Sequence, residues 1–443
     1  MHKWACNERE RSIMKLIIKG LLGALLVTNA ILFADDAEDE PENNASDTGE
    51  GTSKLSEEVY QPRPAASAPT YLAGDWGGHR TALSRKGIDF GVLLVFDDSW
   101  NLSGGKHRSH TLGEYEYLLD VSFRLTSDPL LHYTGGTFFT SFESHHWKNP
   151  STTVVGAFVP IDTLEAPGFD ELYSLWYKQA FQNNKYWVMA GKSDAYDNFT
   201  IIPHASAFIN SGYTFQPTIL FFPTYPDPAM SIVGFVTIPY NIFLTLGVFD
   251  GSLAEGYHTG KHGVIGKFFN NLPKHAFLIG EVDYQWELIK NLSGRLGIAI
   301  WKHTAEFTKF NGGTQKGTWG PCITFDQIIY KKDKEEGAFF ATYSSSDPSL
   351  NAAQRYIAVG ATWNGARYGR SDDVVGIGMS RVNFTQDPDA GFTEHYEASF
   401  EAFYKLSFAK FGLFEPDFQY IVHPGGKGLE NAWVFTLRLQ VDL

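Results

Sequence analysis

Glu114, Glu116, Asp120 and Arg124 stand at one parity along a single segment, with Leu118 and Ser122 filling the even positions between them. Residues two apart on an extended chain point to the same side, so this spacing predicts a row of ionisable groups on one face. Such a row can exchange hydrogen bonds with a hydrated solute and guide it without holding it tightly. The same parity joins Glu397 to Glu401 through Ser399, and sets Arg438 between Thr436 and Gln440. Patterns for covalent or metal chemistry are weaker. Glu143, His145 and His146 place ligand-type residues together, but neighbours on a strand face opposite ways and no third ligand follows at a useful spacing. No Gly-x-Ser-x-Gly elbow and no phosphate-cradling glycine loop occurs. Cys6 and Cys322 are the only cysteines, which leaves no Cys-rich metal centre. The expectation is a chain that is not an enzyme and carries no metal and no cofactor. A hydrolase built from a Ser and a His distant in sequence stays open beside it.

The elements that would carry these rows read as strands. Tyr115, Tyr117, Leu119, Val121, Phe123 and Leu125 oppose the polar row of the first segment, one side apolar and one side wet, over the length that a tilted membrane strand needs. Tyr396, Ala398, Phe400, Ala402, Tyr404 and Leu406 repeat the pattern against His395, Glu397, Ser399, Glu401 and Lys405. At the end, Trp433, Phe435, Leu437, Leu439, Val441 and Leu443 alternate with Val434, Thr436, Arg438, Gln440 and Asp442, so the chain finishes inside a strand. Further strands are expected at 88–102, 136–147, 171–181, 185–193, 231–238, 241–249, 263–269, 275–288, 292–303, 322–330, 337–344, 355–364, 373–384 and 413–423. Ala409-Lys410-Phe411-Gly412 predicts a tight periplasmic turn, and His423 to Gly428 an extracellular loop. The longer stretches 148–170 and 199–230, rich in Pro and aromatic residues, are able to fold into the lumen or cover it.

Composition fits a wall of this kind. Aromatic residues make up 15% of the 443 residues and charged residues 19%, and mean hydropathy is -0.21. That mixture is too polar for a helical membrane protein, but it is what lipid-facing and lumen-facing positions average to when they alternate. The net charge of -14 excludes general nucleic-acid binding, which needs a basic footprint.

Three segments are expected. Lys15 and Lys19 precede an apolar run that ends at Ala34, followed by Asp35-Asp36, so residues 1–34 read as a secretory signal peptide, with Met14 as an alternative start. Residues 35–70 carry ten acidic and two basic side chains and four prolines, and read as a disordered acidic linker. Residues 71–443 would form the all-β, transmembrane antiparallel β-barrel, whose closure removes aggregation-prone edges.

The segment Tyr71 to Ile88 carries Gly74, Asp75, Trp76, Gly77, Gly78 and Arg80, then Leu83, Gly87 and Ile88. It resembles the opening signature of the carbohydrate-selective porins of the OprB family. Glu171 to Trp176, Gly191 to Asp194, Phe208 to Ser211, Val248 to Gly251, Pro416 to Ile421 and Pro424 to Gly426 resemble that family's later landmarks, with His423 where the family tends to have Asn. The resemblance implies sixteen strands, a constricted charged pore, and passive, carbohydrate-selective diffusion across the bacterial outer membrane. By family position it adds Glu171, Lys192 and Asp194 to the pore-lining candidates Glu114, Glu116, Asp120, Arg124, Glu397, Glu401 and Arg438. The partners it implies are outer-membrane lipid and small sugars as transported solutes, in a monomer or homotrimer. A porin for other small solutes, such as amino acids or dicarboxylates, is the nearest alternative; an enzyme or adhesin on a barrel is the more distant one. Ahead of the first strand, a short N-terminal periplasmic helix is expected over 77–86, with Asp75 as its N-cap, Arg85 and Lys86 at the C-terminal end of its dipole, and Gly87 as its left-handed stop.

Overall fold

The computed structural model describes residues 71–109, 113–131, 133–258, 274–289, 292–365 and 370–443. The expected signal peptide and acidic linker, and the expected strand at 263–269, lie outside the described residues.

Alternation makes each strand stable only when one face meets hydrocarbon and the other meets a polar interior, and closure alone leaves no unpaired edge in the bilayer. Among the described residues sixteen strands do this: β1 (Ile88–Gly105), β2 (Glu114–Thr126), β3 (Gly136–Trp147), β4 (Phe169–Phe181), β5 (Tyr186–Ser193), β6 (Ala229–Ile238), β7 (Ile242–Asp250), β8 (Ala276–Ile289), β9 (Leu292–Thr308), β10 (Thr314–Lys332), β11 (Glu335–Ser345), β12 (Ala353–Asn364), β13 (Val374–Phe384), β14 (Tyr396–Phe408), β15 (Gly412–Val422) and β16 (Glu430–Asp442). Each pairs antiparallel with its sequence neighbours, and β1 closes the barrel against β16 in a register running from Leu93 opposite Asp442 to Gly105 opposite Glu430. Among the described residues no helix is long and apolar enough to cross a membrane; the strands make the crossing.

The two faces differ as the alternation requires. Ile232, Leu246 and Ile377 are 62%, 56% and 63% exposed on the outside, whereas Asp97, Glu116 and Thr245 are buried on the inside. On β5 to β9 part of the inner face is apolar as well, beside the buried Glu281, Asp283 and Arg295: Trp187, Val233, Phe235, Phe243, Phe249, Phe277 and Trp301 are buried together with Phe199, Ile219 and Phe222 from the segment 194–228. That segment packs on the inner wall and dries it, which is why β6 and β7 read as nearly continuous apolar runs and not as clean alternation.

The N-terminal helix is shorter than expected. A 3₁₀ turn at Trp76–Gly78 leads into α1 (His79–Ser84), because Gly77 and Gly78 take left-handed φ values of 67° and 92° that no α-helix accepts. Asp75 still acts on the helix start: its Oδ1 accepts from the Thr81 N–H at 2.8 Å and from the Thr81 hydroxyl at 2.9 Å. The helix also ends before the expected Lys86, at Ser84; Arg85 and Lys86 form a tighter turn that leads to Gly87, whose φ is 79° and where a Cβ would sit 2.5 Å from the Thr126 carbonyl oxygen. Arg80 reaches across the barrel seam to the Leu443 carbonyl at 3.1 Å and packs against the Tyr71 and Trp76 rings. The Leu72 N–H donates to the Asp442 carbonyl at 2.8 Å. Residues 71–80 thus fasten the approach to β1 to the end of β16, at the rim where the short turns 182–185, 239–241 and 409–411 also lie. A second helix, α2 (Ser127–Leu131), follows β2 at the same rim.

Candidate functional site

At the opposite rim the connections are longer, and two of them turn inward. The segment 148–168 begins with a wide helical turn at Ser151–Val155. Buried Glu165 holds that turn by accepting from the Ser151 N–H at 3.0 Å, and the Ser151 hydroxyl oxygen accepts from the Ile161 N–H at 2.7 Å. Burial pushes the Glu165 carboxyl up to about 8, against the pull of the Ser151 hydrogen bonds. From there the segment crosses to the wall. Phe158 and Val159 donate their N–H groups to Glu397 on β14 at 2.7 and 2.8 Å. The Ile161 carbonyl accepts from Gln419 on β15 at 2.8 Å, and Asp162 accepts from Arg438 on β16 at 2.8 Å.

The segment 194–228 is anchored just as widely. Thr200 donates to Glu281 on β8, and His204 sits between Asp326 on β10 at 2.6 Å and Glu336 on β11 at 3.2 Å. Ile209 and Asn210 donate their N–H groups to Glu401 on β14 at 2.8 and 3.2 Å, and the Gly212 carbonyl accepts from the Tyr356 hydroxyl on β12. Tyr225 ties the two segments together through the Leu164 carbonyl at 2.8 Å. Because these anchors sit on strands around much of the barrel, the two segments narrow its interior as a fixed constriction. Buried carboxylates are satisfied by backbone N–H groups that would otherwise have no partner.

The ten sequence candidates all project inward and divide into two groups. Glu114, which pairs with Lys148 at 2.9 Å, Arg124, which lies against the Phe139 ring, and Arg438 keep part of their surface exposed. Arg438 forks onto Asp97 of β1, with Nε at 3.0 Å and Nη2 at 2.7 Å, while the same Nη2 holds Asp162. The others are buried. Glu116 meets His145 at 3.1 Å, and Asp120 is 8% exposed on the inner wall. Glu171 pairs with Lys192 at 3.2 Å, whose ammonium also donates to the Leu172 carbonyl. Asp194 accepts from the Tyr173 hydroxyl and from the Tyr196 N–H at 2.7 Å. Glu397 and Glu401 hold the inward segments.

His145 and His146 face opposite sides, the first buried beside Glu116 and the second half-exposed beside Asp170 at 3.2 Å. Sequence reasoning passed over Asp97, Glu281, Asp283, Arg295, Asp417 and Gln419, although strand parity marks each as inward. Nothing in the spacing points to Asp162 or His204, whose partners lie on distant strands, or to Glu165, which closes a turn within its own segment on Ser151.

The His204 bridge makes a pH test. Burial by itself lowers the imidazole, but hydrogen bonds to Asp326 and Glu336 outweigh it and hold the pKa at about 9 instead of the usual 6.5. A base with a raised folded-state pKa contributes its full stabilisation below the unfolded value and loses it as pH climbs through the folded one. His204→Gln is therefore expected to cost about 1–3 kcal/mol near pH 6, with the difference from wild type shrinking between pH 6.5 and 9. Equilibrium unfolding from detergent micelles measures this, and a pH-independent difference would discard the charged bridge.

Comparison with known proteins agrees with this geometry. The family model described as "Carbohydrate-selective porin, OprB family" matches residues 111–443. Porin B of Pseudomonas aeruginosa is 22% identical over 368 residues, covering 76% of this chain and 78% of that protein. A high-pH structure of Pseudomonas putida OprB superposes with a TM-score of 0.75 at 20% identity, covering 86% of this chain and all of that one. The low-pH structure of the same protein gives 0.56 at 16% identity, over 84% and 98%. A family match across three-quarters of the sequence, on a closed sixteen-stranded wall with an inward constriction, places this outer-membrane chain in the carbohydrate-selective porin, OprB family.

Proposed function

We propose that this barrel lets small neutral sugars diffuse passively across the outer membrane, and that the segments 148–168 and 194–228 set the width of the path. The observation that carries this reading is the ring of wall-to-segment bonds just described, which makes the narrowing a rigid part of the structure. Sugars suit a passage lined by mixed charges, because their hydroxyls exchange hydrogen bonds with both signs while their C–H faces rest on aromatic rings. In this reading Glu114, Arg124 and Arg438, which retain exposed surface, meet the solute directly. Glu116, Asp120, Glu171, Lys192, Asp194, Glu397 and Glu401 act from beneath, by fixing the shape of the narrowing. Residues 1–34 would serve export as a signal peptide, and 35–70 would be an acidic linker ahead of the barrel.

Liposome swelling tests the proposal. Proteoliposomes should swell in isosmotic monosaccharide faster than in disaccharide, and both faster than lipid alone. Permeation no greater than the lipid control ends the sugar reading. Strong preference for dicarboxylates or amino acids in planar-bilayer selectivity measurements would favour the other class of solute.

A further inference from the structure

Arg355, on β12, and Arg381, on β13, project from the outside of the barrel, where the rest of the wall meets hydrocarbon. Their neighbours fix this phase: Tyr356, Val382 and Phe384 are buried inside, whereas Ile357 and Ile377 are exposed outside. Arg355 is the third residue of its strand and Arg381 the fourth from the end of its own, both at the rim of the long connections, which in barrels of this kind is the extracellular side. In the register, Arg355 stands opposite Asn383 and Ile357 opposite Arg381, so the two arginines are diagonal neighbours on one face. Arg381 is turned towards the rim: its Nε donates to Asn383 Oδ1 at 2.8 Å, and its guanidinium carbon lies 4.0 Å from the centre of the Tyr396 ring. Among the described residues neither arginine makes an ion pair.

Two guanidinium groups of like charge at the border of hydrocarbon are costly unless an anion joins them. Water can reach them, yet the wall beside them is apolar, with Ile357, Ile377 and Phe400 all more than 40% exposed. An amphiphile with an anionic head and acyl chains matches both parts of this surface. The paired forks suit the oxygens of a phosphate, the Tyr396 ring steadies one fork, and the exposed aliphatic and aromatic side chains accompany the acyl chains.

We propose that Arg355 and Arg381 form a binding site on the outer wall for the phosphate group of an anionic glycolipid of the outer leaflet. The site rests on the barrel's seat in the outer membrane but not on what the pore carries. Sugar flux and lipid binding can therefore fail independently.

The test uses the full chain purified in detergent, with bisphosphorylated lipid A as probe, dephosphorylated lipid A and inorganic phosphate as comparisons, and native mass spectrometry as readout. Wild type should retain the phosphorylated lipid. R355Q/R381Q should bind it at least tenfold more weakly, with liposome swelling in sugar unchanged. R355K/R381K, which keeps the charge and loses the fork, should fall between, and it supplies the reading should the Gln pair fold poorly. Equal retention of phosphorylated and dephosphorylated lipid would overturn the site, as would equal binding by wild type and both variants. Displacement of the lipid by millimolar inorganic phosphate would reduce it to a general anion contact and overturn the lipid assignment.

Discussion

Arg438→Ala is expected to destabilise the folded barrel by about 3–5 kcal/mol and to raise single-channel conductance. The arginine stands between two carboxylates that have no exposed surface, Asp97 on the wall and Asp162 on the inward segment, and it bonds both as well as the Thr163 hydroxyl at 3.0 Å. Removing one partner of a buried ionic group leaves the remaining charges desolvated and uncompensated, and this is where the figure of about 3–5 kcal/mol arises. Relief of that penalty is expected to come from Asp162 swinging into water, which draws residues 162–165 from the wall beside Arg438 and widens the constriction, while Glu397 and Gln419 keep their hold on residues 158–161. Arg438→Lys keeps a cation but loses the planar fork, so an intermediate loss is expected. Acid should rescue part of the stability. Burial and the Asp97 charge push the Asp162 carboxyl above its ordinary range while Arg438 pulls it back, so in the alanine variant protonation of Asp162 comes more easily, and the deficit at pH 5 should be smaller than at pH 8. Urea unfolding from micelles at the two pH values and planar-bilayer recording give both halves of the result. Unchanged conductance together with a loss below about 1 kcal/mol would mean that Arg438 is not the strap described here.

The second large effect lies on the other face of the wall. Leu246 is the central residue of β7 and 56% exposed on the outside, so Leu246→Arg places a cation near the middle of the hydrocarbon and is expected to cost about 2–4 kcal/mol. Gln440→Arg introduces the same cation at an inward position of β16, next to Arg438 and its carboxylates, and should cost about 0–1 kcal/mol. Folding titrations of the two variants into lipid vesicles compare them directly. Equal costs, or a reversed order, would show that the assigned phase of the wall is in error.

Parity along the chain determined a great deal. Glu114 to Arg124, Glu397 to Glu401 and Arg438 project inward as two-residue periodicity demands, because a strand has no other way to arrange consecutive side chains. The boundaries of β2, β3, β13 and β14 fall within two residues of expectation for the same reason. Gly87 takes the left-handed φ expected of it beside the Thr126 carbonyl, but the helix itself ends earlier, at Ser84, and Arg85 and Lys86 lie in the turn between. The helix start was misjudged because Gly77 and Gly78 have the same composition in a helix as in a turn, and only their φ values distinguish the two.

Tertiary structure alone decided what the inward charges do. The sequence shows that Glu397 and Glu401 share a face, but not that Phe158, Val159, Ile209 and Asn210, about 190 to 240 residues away, bring their N–H groups there. Nor does it show that Arg438 joins Asp97 to Asp162, or that the apolar runs of β6 and β7 owe their second apolar face to a segment folded onto them from within. The reason is physical: periodicity is a local property of a strand, whereas the partner of a buried charge is chosen by barrel closure and by the path of two long connections, which bring together residues that no spacing relates.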